Sequence, residues 1–200
     1  MTGPRLPYPD LDSLDDACRI RLAERLPLNI YRMLCHAPTF YPGWMDLGRA
    51  VLYEAQLPAK LRELAILRVG HLCRSPYELH QHRKIALAVG ITPEQVEAVA
   101  SQPAGPLFDH TERAVLAATD QLVHDVRIGD ALFAELRTRL GEQQVMELLI
   151  SVGFYMMVAR VIENTGIPIE EGGGPSQQEV AQAREKTLRA LAAAPREAQA

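Results

Sequence analysis

The sequence predicts an all-α protein of about eight or nine helices, and three observations carry that expectation. Leu and Ala supply 26 residues each while aromatic residues make up only 6%, a bias toward strong helix formers and away from the residues that fill strands. Helix start and stop signals recur along the chain, built from Ser, Thr or Asp followed by Pro and Glu, and closed by Gly or Pro. Apolar residues also return at helical spacing, as Ala114, Ala118 and Leu122 do.

Residues 1–12, with Pro4, Pro7 and Pro9 and no helical periodicity, are expected to form an extended N-terminal arm. Residues 13–169 make up the expected helical domain. Ser13 with Asp16 offers a cap for a helix through about Arg25, and Pro27-Leu28-Asn29 restarts the chain into a short helix ending near His36. Ala37-Pro38 breaks that helix before a segment from Phe40 to Ala55. Leu57-Pro58 leads into Lys60–Leu72, apolar over most of its circumference and expected to be the centre of the core. Ser75, Pro76 and Glu78 hold the positions of a capping box for a helix that runs to Val89 and stops at Gly90. Thr92-Pro93-Glu94-Gln95 repeats the signal for a short helix to about Ala100, and residues 102–106 are a loop. Asp109 opens the next helix, Asp130 caps one ending near Leu140-Gly141, and Glu142 begins a long apolar helix that stops around Gly166-Ile167-Pro168. Residues 170–200 change to a Gly-rich flexible linker and an Ala-rich C-terminal helix or tail from Gln177 to Ala194, to which the sequence assigns no chemistry. Glu63-Leu64…Gly70 echoes Glu147-Leu148…Gly153, and Gly90-Ile91 echoes Gly166-Ile167, a weak two-fold pseudo-repeat.

A net charge of −4, a pI of about 5.9 and dispersed Arg and Lys residues leave no basic stripe to neutralise a row of phosphates, so no nucleic-acid partner is expected. No apolar run reaches the roughly 20 residues a membrane span needs, and Met1–Pro7 lacks the apolar stretch of a signal peptide. No membrane association is therefore expected, and the cytoplasm is the expected location. Cys18, Cys35 and Cys73 are odd in number and widely spaced, with no C-x-x-C pair, and read as reduced, mostly buried thiols. His36, His71, His80, His82, His110 and His124 form no H-x-x-x-H pair on one helical face, so no metal is expected.

Glu78 and His82, four residues apart, share one helix face, an arrangement in which a carboxylate and an imidazole can pass a proton. The spacing alone equally allows Glu78 to complete a helix cap and His82 to sit on the surface. His80 lies on another face of that helix and reads as solvent-facing or interfacial. Glu63 is costly to bury in the most apolar helix unless it has a partner or a task, with an ion pair to Arg62 or Arg68 as the plain alternative. His71, two turns beyond Glu63, is either a packed core histidine or a supporting donor. Trp44, with Phe40 and Tyr41, reads as core or as a pocket wall.

The runs Arg62-Glu63-Leu64-Ala65-Ile66-Leu67-Arg68-Val69, Ser75-Pro76-Tyr77-Glu78-Leu79-His80-Gln81-His82 and Ala86–Val96, in this order and spacing, resemble the carboxymuconolactone decarboxylase family, related in fold to alkylhydroperoxidase D. The likeness is tight over about residues 40–125 and looser over 27–170. The thiol-peroxidase branch of that superfamily uses a C-x-x-C pair followed by a histidine, with a glutamate upstream. The resemblance sets that glutamate on Glu63, the two cysteines on Ser75 and Glu78, and the histidine on His82. Both thiols are thus missing, which disfavours peroxidase chemistry because a thiolate is its nucleophile.

The decarboxylase branch implies a cofactor-independent lyase that releases carbon dioxide from a lactone acid of aromatic catabolism. On that resemblance Glu63, Glu78 and His82 are the expected catalytic residues, with His82 as proton donor, Glu78 as the carboxylate that orients it and Glu63 as a relay. Arg68 and Arg83 are candidates to hold a substrate carboxylate, and His71, Trp44, Ser75 and Tyr77 complete the expected binding site. Isomerase or dehydratase chemistry through the same enolate, and a non-catalytic scaffold or small-molecule binder, remain as alternatives. The partner implied is a small carboxylate or lactone. A homo-oligomer, trimer or hexamer, is expected both from the family and from helices with more apolar surface than short neighbours cover.

Overall fold

Burial fixes the centre of this fold on α4 (Ala59–Leu72), which buries Leu61 through Leu67 without a break, together with Val69 and Gly70. The computed structural model describes residues 3–14, 16–23, 26–101 and 103–193. Against α4 pack α5 (Pro76–Ala88), α6 (Pro93–Ser101), α7 (His110–Asp125) and α8 (Asp130–Thr165). Among the described residues three α-helices precede it, α1 (Asp16–Ala23), α2 (Asn29–Leu34) and α3 (Tyr41–Arg49), and α9 (Gln177–Ala193) follows α8. No strand occurs among the described residues, so the all-α expectation holds.

Local chemistry accounts for most helix ends. Thr92 Oγ1 accepts the Gln95 N–H and Gln95 Oε1 accepts the Thr92 N–H, each at 3.2 Å, a reciprocal cap for α6. Asp109 and Glu112 form the same box on α7. Ser13 does not cap α1: its hydroxyl donates to the Asp10 carbonyl within a single 3-10 turn at Leu11–Ser13, and α1 begins at Asp16. The expected end of α1 at Arg25 lies outside the described residues. Gly129, not Asp130, is the N-cap of α8. That helix breaks at Gly141, whose φ of 76° is open to glycine at little cost, where the sequence placed one helix end and the next start. The Gly-Ile echo has a structural counterpart, because Ile91 N–H reaches the Ala86 carbonyl and Ile167 N–H the Ile162 carbonyl.

Two expectations need correction. By length and composition α8 is apolar enough to cross a membrane, although half of its apolar window is buried in the domain, as a core helix would be. The segment after residue 169 is also tied down rather than a free linker. Glu170 Oε1 accepts the Asn29 N–H at 2.7 Å and the Tyr77 hydroxyl at 2.5 Å, and its Oε2 accepts Gln81 Nε2 at 2.6 Å. Lys84 donates to the carbonyls of Gly173 and Pro175, and the His80 ring meets the Gly173 carbonyl at 2.8 Å. Ser176 and Glu179 then cap α9 reciprocally, and α9 lies on α5 and on the π turn that ends α3. That π turn, Ala50–Glu54, closes with Ala55 N–H on the Ala50 carbonyl.

Candidate active site

The unbroken burial of α4 carries a charged pair, Arg62 and Glu63, into the core; Glu63 has no exposed surface. Such burial requires partners. Glu63 Oε2 stands 2.7 Å from His82 Nδ1, and Oε1 stands 3.4 Å from Arg62 Nε. A tight turn at Cys73-Arg74-Ser75, with Arg74 at φ 55°, folds α5 back along α4 and so brings residues 19 apart in sequence together. With Nδ1 committed to Glu63, Nε2 is the ring nitrogen left for a ligand. Tyr155 meets the imidazole edge-on, with centroids 4.7 Å apart at 86°, which limits rotation of the ring.

His82, Glu78 and Arg62 line one cavity of about 140 Å³. Trp44, Leu52, Phe154 and Val158 supply apolar wall, and Trp44 packs on Phe154 with ring centroids 5.4 Å apart. Tyr53 and Leu52 come from the π turn, and Val180 and Arg184 come from α9.

Glu78 differs from the sequence expectation. It is 2% exposed, and neither carboxylate oxygen has a hydrogen-bond partner. Ser75 makes no side-chain cap bond, so the expected capping box does not form. Burial first, and the Glu163 carboxylate second, push the Glu78 carboxyl well above its ordinary value. The helix dipole, worth about 0.3–1 kcal/mol, does not offset the several kcal/mol for an unpaired buried charge. Burial thus favours the neutral form of Glu78, and Glu63, not Glu78, is the carboxylate hydrogen-bonded to His82. The Leu79 side chain packs onto the bare Cα of Gly70, where a Cβ would stand 2.9 Å from Leu79 Cδ2 and oblige that side chain to shift.

Four expected binding residues do not belong to the cavity wall. Arg68 is a clamp: its guanidinium holds Asp120 at 2.5 and 3.1 Å and the carbonyls of Val99 and Ala100 at 2.9 Å. Arg83 pairs with Glu97 at the surface. His71 lies off the cavity, and burial first, then Arg68 and Arg83, lower its pKa. Ser75 is fully buried with an unpartnered hydroxyl but is not part of the wall. Tyr77 does line the cavity, with its hydroxyl spent on Glu170. His80 is half-buried against Gly173 rather than free.

Sequence reasoning passed over Arg62, Tyr155 and Arg184. Arg62 had a signal, as an arginine inside an otherwise apolar run; Nη2 of this residue, 3% exposed, has no hydrogen-bond partner. Tyr155 looked like any aromatic residue of a core helix. No cysteine enters the cavity wall; Cys73 is half-buried, and burial raises its thiol further from ionisation.

The profile of the carboxymuconolactone decarboxylase family matches residues 38–121, the stretch that holds Glu63, Glu78 and His82. Residues 38–121 are thus similar to the carboxymuconolactone decarboxylase family, and the chain has an alkylhydroperoxidase D-like helical fold, as the sequence motifs led us to expect. An uncharacterized peroxidase-related protein from Ralstonia eutropha JMP134, described as an alkylhydroperoxidase AhpD core, superposes with a TM-score of 0.75 at 18% identity, covering 92% of this chain and 98% of its own. A peroxidase-related protein from Silicibacter sp. TM1040 has the same TM-score and identity, covering 88% and 97%. A cysteine-to-alanine variant of the debrominase Bmp8, in complex with 2,3,4-tribromopyrrole, gives a TM-score of 0.66 at 16% identity, covering 96% and 97%. No curated protein matches the sequence.

Proposed function

We propose that this protein is a thiol-independent acid–base enzyme acting on a small lactone or keto acid through an enolate, with decarboxylation as the reaction. The observation that carries the reading is the Glu63–His82 contact, which fixes His82 on the wall of a mostly apolar cavity. In that reaction the bond to the carboxylate carbon breaks, carbon dioxide leaves, and the electron pair moves onto the neighbouring carbonyl as an enolate. His82 delivers a proton from Nε2 to carbon and recovers it from water, while Glu63 holds the tautomer and balances the imidazolium charge. The neutral Glu78 hydroxyl and the unpartnered Arg62 Nη2 donate to the enolate oxygen. Apolar walls strip water from the departing carboxylate.

Burial of both Glu78 and His82 against a cavity favours an enzyme over a scaffold, which would leave them on an open surface. Ser75 and Glu78 at the two cysteine positions speak against a thiol peroxidase. An isomerase or dehydratase would use the same enolate and the same residues. The test is a screen of lactone acids and β-keto acids by ultraviolet absorbance with detection of released carbon dioxide. Turnover accompanied by gas release is expected; proton migration without it moves the assignment to an isomerase.

A further inference from the structure

We infer that Arg184, on α9 and outside the family-matched segment, is the carboxylate anchor that selects an anionic ligand for this cavity. The inference rests on the acid–base reading for the reaction but concerns binding alone. Arg184 lines the same cavity as His82 and Glu78, and its Nε is shut off from solvent with no hydrogen-bond partner. A buried guanidinium N–H without an acceptor is costly, and an oxygen anion with planar geometry is the acceptor that matches it best. Of the other charged groups on the wall, Arg49 pairs with Glu54, Arg62 meets Glu63 through Nε and has its Nη2 assigned above to the enolate oxygen, and burial raises the Glu78 carboxyl well above its ordinary value. Among the described lining residues Glu78 is the only carboxyl group, and it makes no hydrogen bond to Arg184.

The segment that carries Arg184 is held in place before any ligand arrives. Glu170 ties its base to Asn29, Tyr77 and Gln81, Lys84 holds the Gly173 and Pro175 carbonyls, and Ser176 caps the helix. Val180, one turn earlier on α9, lines the cavity beside it and adds apolar wall. The fitting ligand is therefore a small organic carboxylate whose apolar body lies on Trp44 and Phe154 while its carboxylate meets Arg184.

Trp44 is the only tryptophan and lines the cavity, so its fluorescence reports occupancy without any turnover. The probes are benzoate and its neutral isostere benzamide, titrated into the full chain. Wild type is expected to bind benzoate about tenfold more tightly than benzamide. Arg184→Gln is expected to weaken benzoate roughly 10- to 100-fold and leave benzamide unchanged, with Arg184→Lys in between as the folded, charged control. Arg83→Gln, which removes an arginine outside the cavity, is expected to bind benzoate as wild type does, and because fluorescence reads binding without turnover, failure of the chemistry and failure of the anchor are told apart. Equal affinity of wild type and Arg184→Gln for benzoate, or no preference for benzoate over benzamide, would overturn the assignment.

Discussion

Glu63 Oε2 and His82 Nδ1 lie 2.7 Å apart across the α4–α5 hairpin, in a core where Glu63 has no contact with solvent. A bond made there is shielded from water, so it fixes the imidazole orientation and leaves Nε2 toward the cavity. Glu63→Gln keeps an acceptor of the same shape but loses the charge. It is expected to leave the fold intact and slow turnover by roughly 10²-fold or more. Glu63→Ala strands Arg62 and His82 in the core and is expected to cost about 3–5 kcal/mol in denaturant unfolding. A folded Glu63→Gln enzyme with full activity would refute the role given to this pair.

Glu78 yields a stability prediction of unusual sign. Its folded-state pKa is raised, so the folded protein holds a proton that the unfolded chain releases as pH climbs past the ordinary carboxyl value. Stability is therefore full below about pH 4.5 and falls as pH rises toward the raised pKa, by about 1.4 kcal/mol per pH unit at most. Glu78→Gln removes that slope, and melting curves at pH 5 and pH 8 should show the variant gaining on wild type at the higher pH. Turnover by wild type should drop on the alkaline side as Glu78 ionises beside the enolate, and Glu78→Gln should lose that limb at about tenfold lower rate. A Glu78→Gln variant less stable than wild type at pH 8 would return the residue to a structural cap.

Arg68 separates a structural role from a binding one. Its guanidinium joins α4 to Asp120 on α7 and to the end of α6, so Arg68→Ala is expected to lower stability by about 2–3 kcal/mol while kcat and KM at moderate temperature stay near wild type. A selective rise in KM with unchanged melting would restore it to the binding site.

Met146, Ile150 and Met157 remain exposed along one stripe of α8, with Gly153 between them leaving open space. We propose that this face seats another copy of the chain, in keeping with the homo-oligomer the sequence led us to expect. Light scattering at micromolar concentration should return a multiple of 22 kDa, and Ile150→Glu should lower it. A stable mass near 22 kDa for wild type would remove this claim.

Much of the fold was legible in the sequence because its signals are local. The Thr92–Gln95 and Asp109–Glu112 boxes, the Gly141 break and the Gly166 stop depend on residues within a turn of each other. Ser75 and Glu78 carried the same local pattern and failed, because tertiary burial and the close approach over Gly70 took the carboxyl away from the helix end. At the site, the residue types Glu63, Glu78 and His82 were readable, but which carboxylate faces His82 depends on how α4 and α5 fold back on one another. Arg184 was not legible at all, since an Ala-rich tail gives no sign of docking; the Glu170 contacts that seat it span about ninety residues or more in sequence.

The most direct test of the account measures turnover on a substrate from the acid screen by three proteins side by side: wild type, His82→Ala, and the variant with Cys18, Cys35 and Cys73 replaced by Ala. The account predicts that the cysteine-free protein retains near wild-type kcat/KM while His82→Ala loses roughly 10²-fold or more. An inactive but folded cysteine-free protein, or a fully active His82→Ala variant, would contradict it.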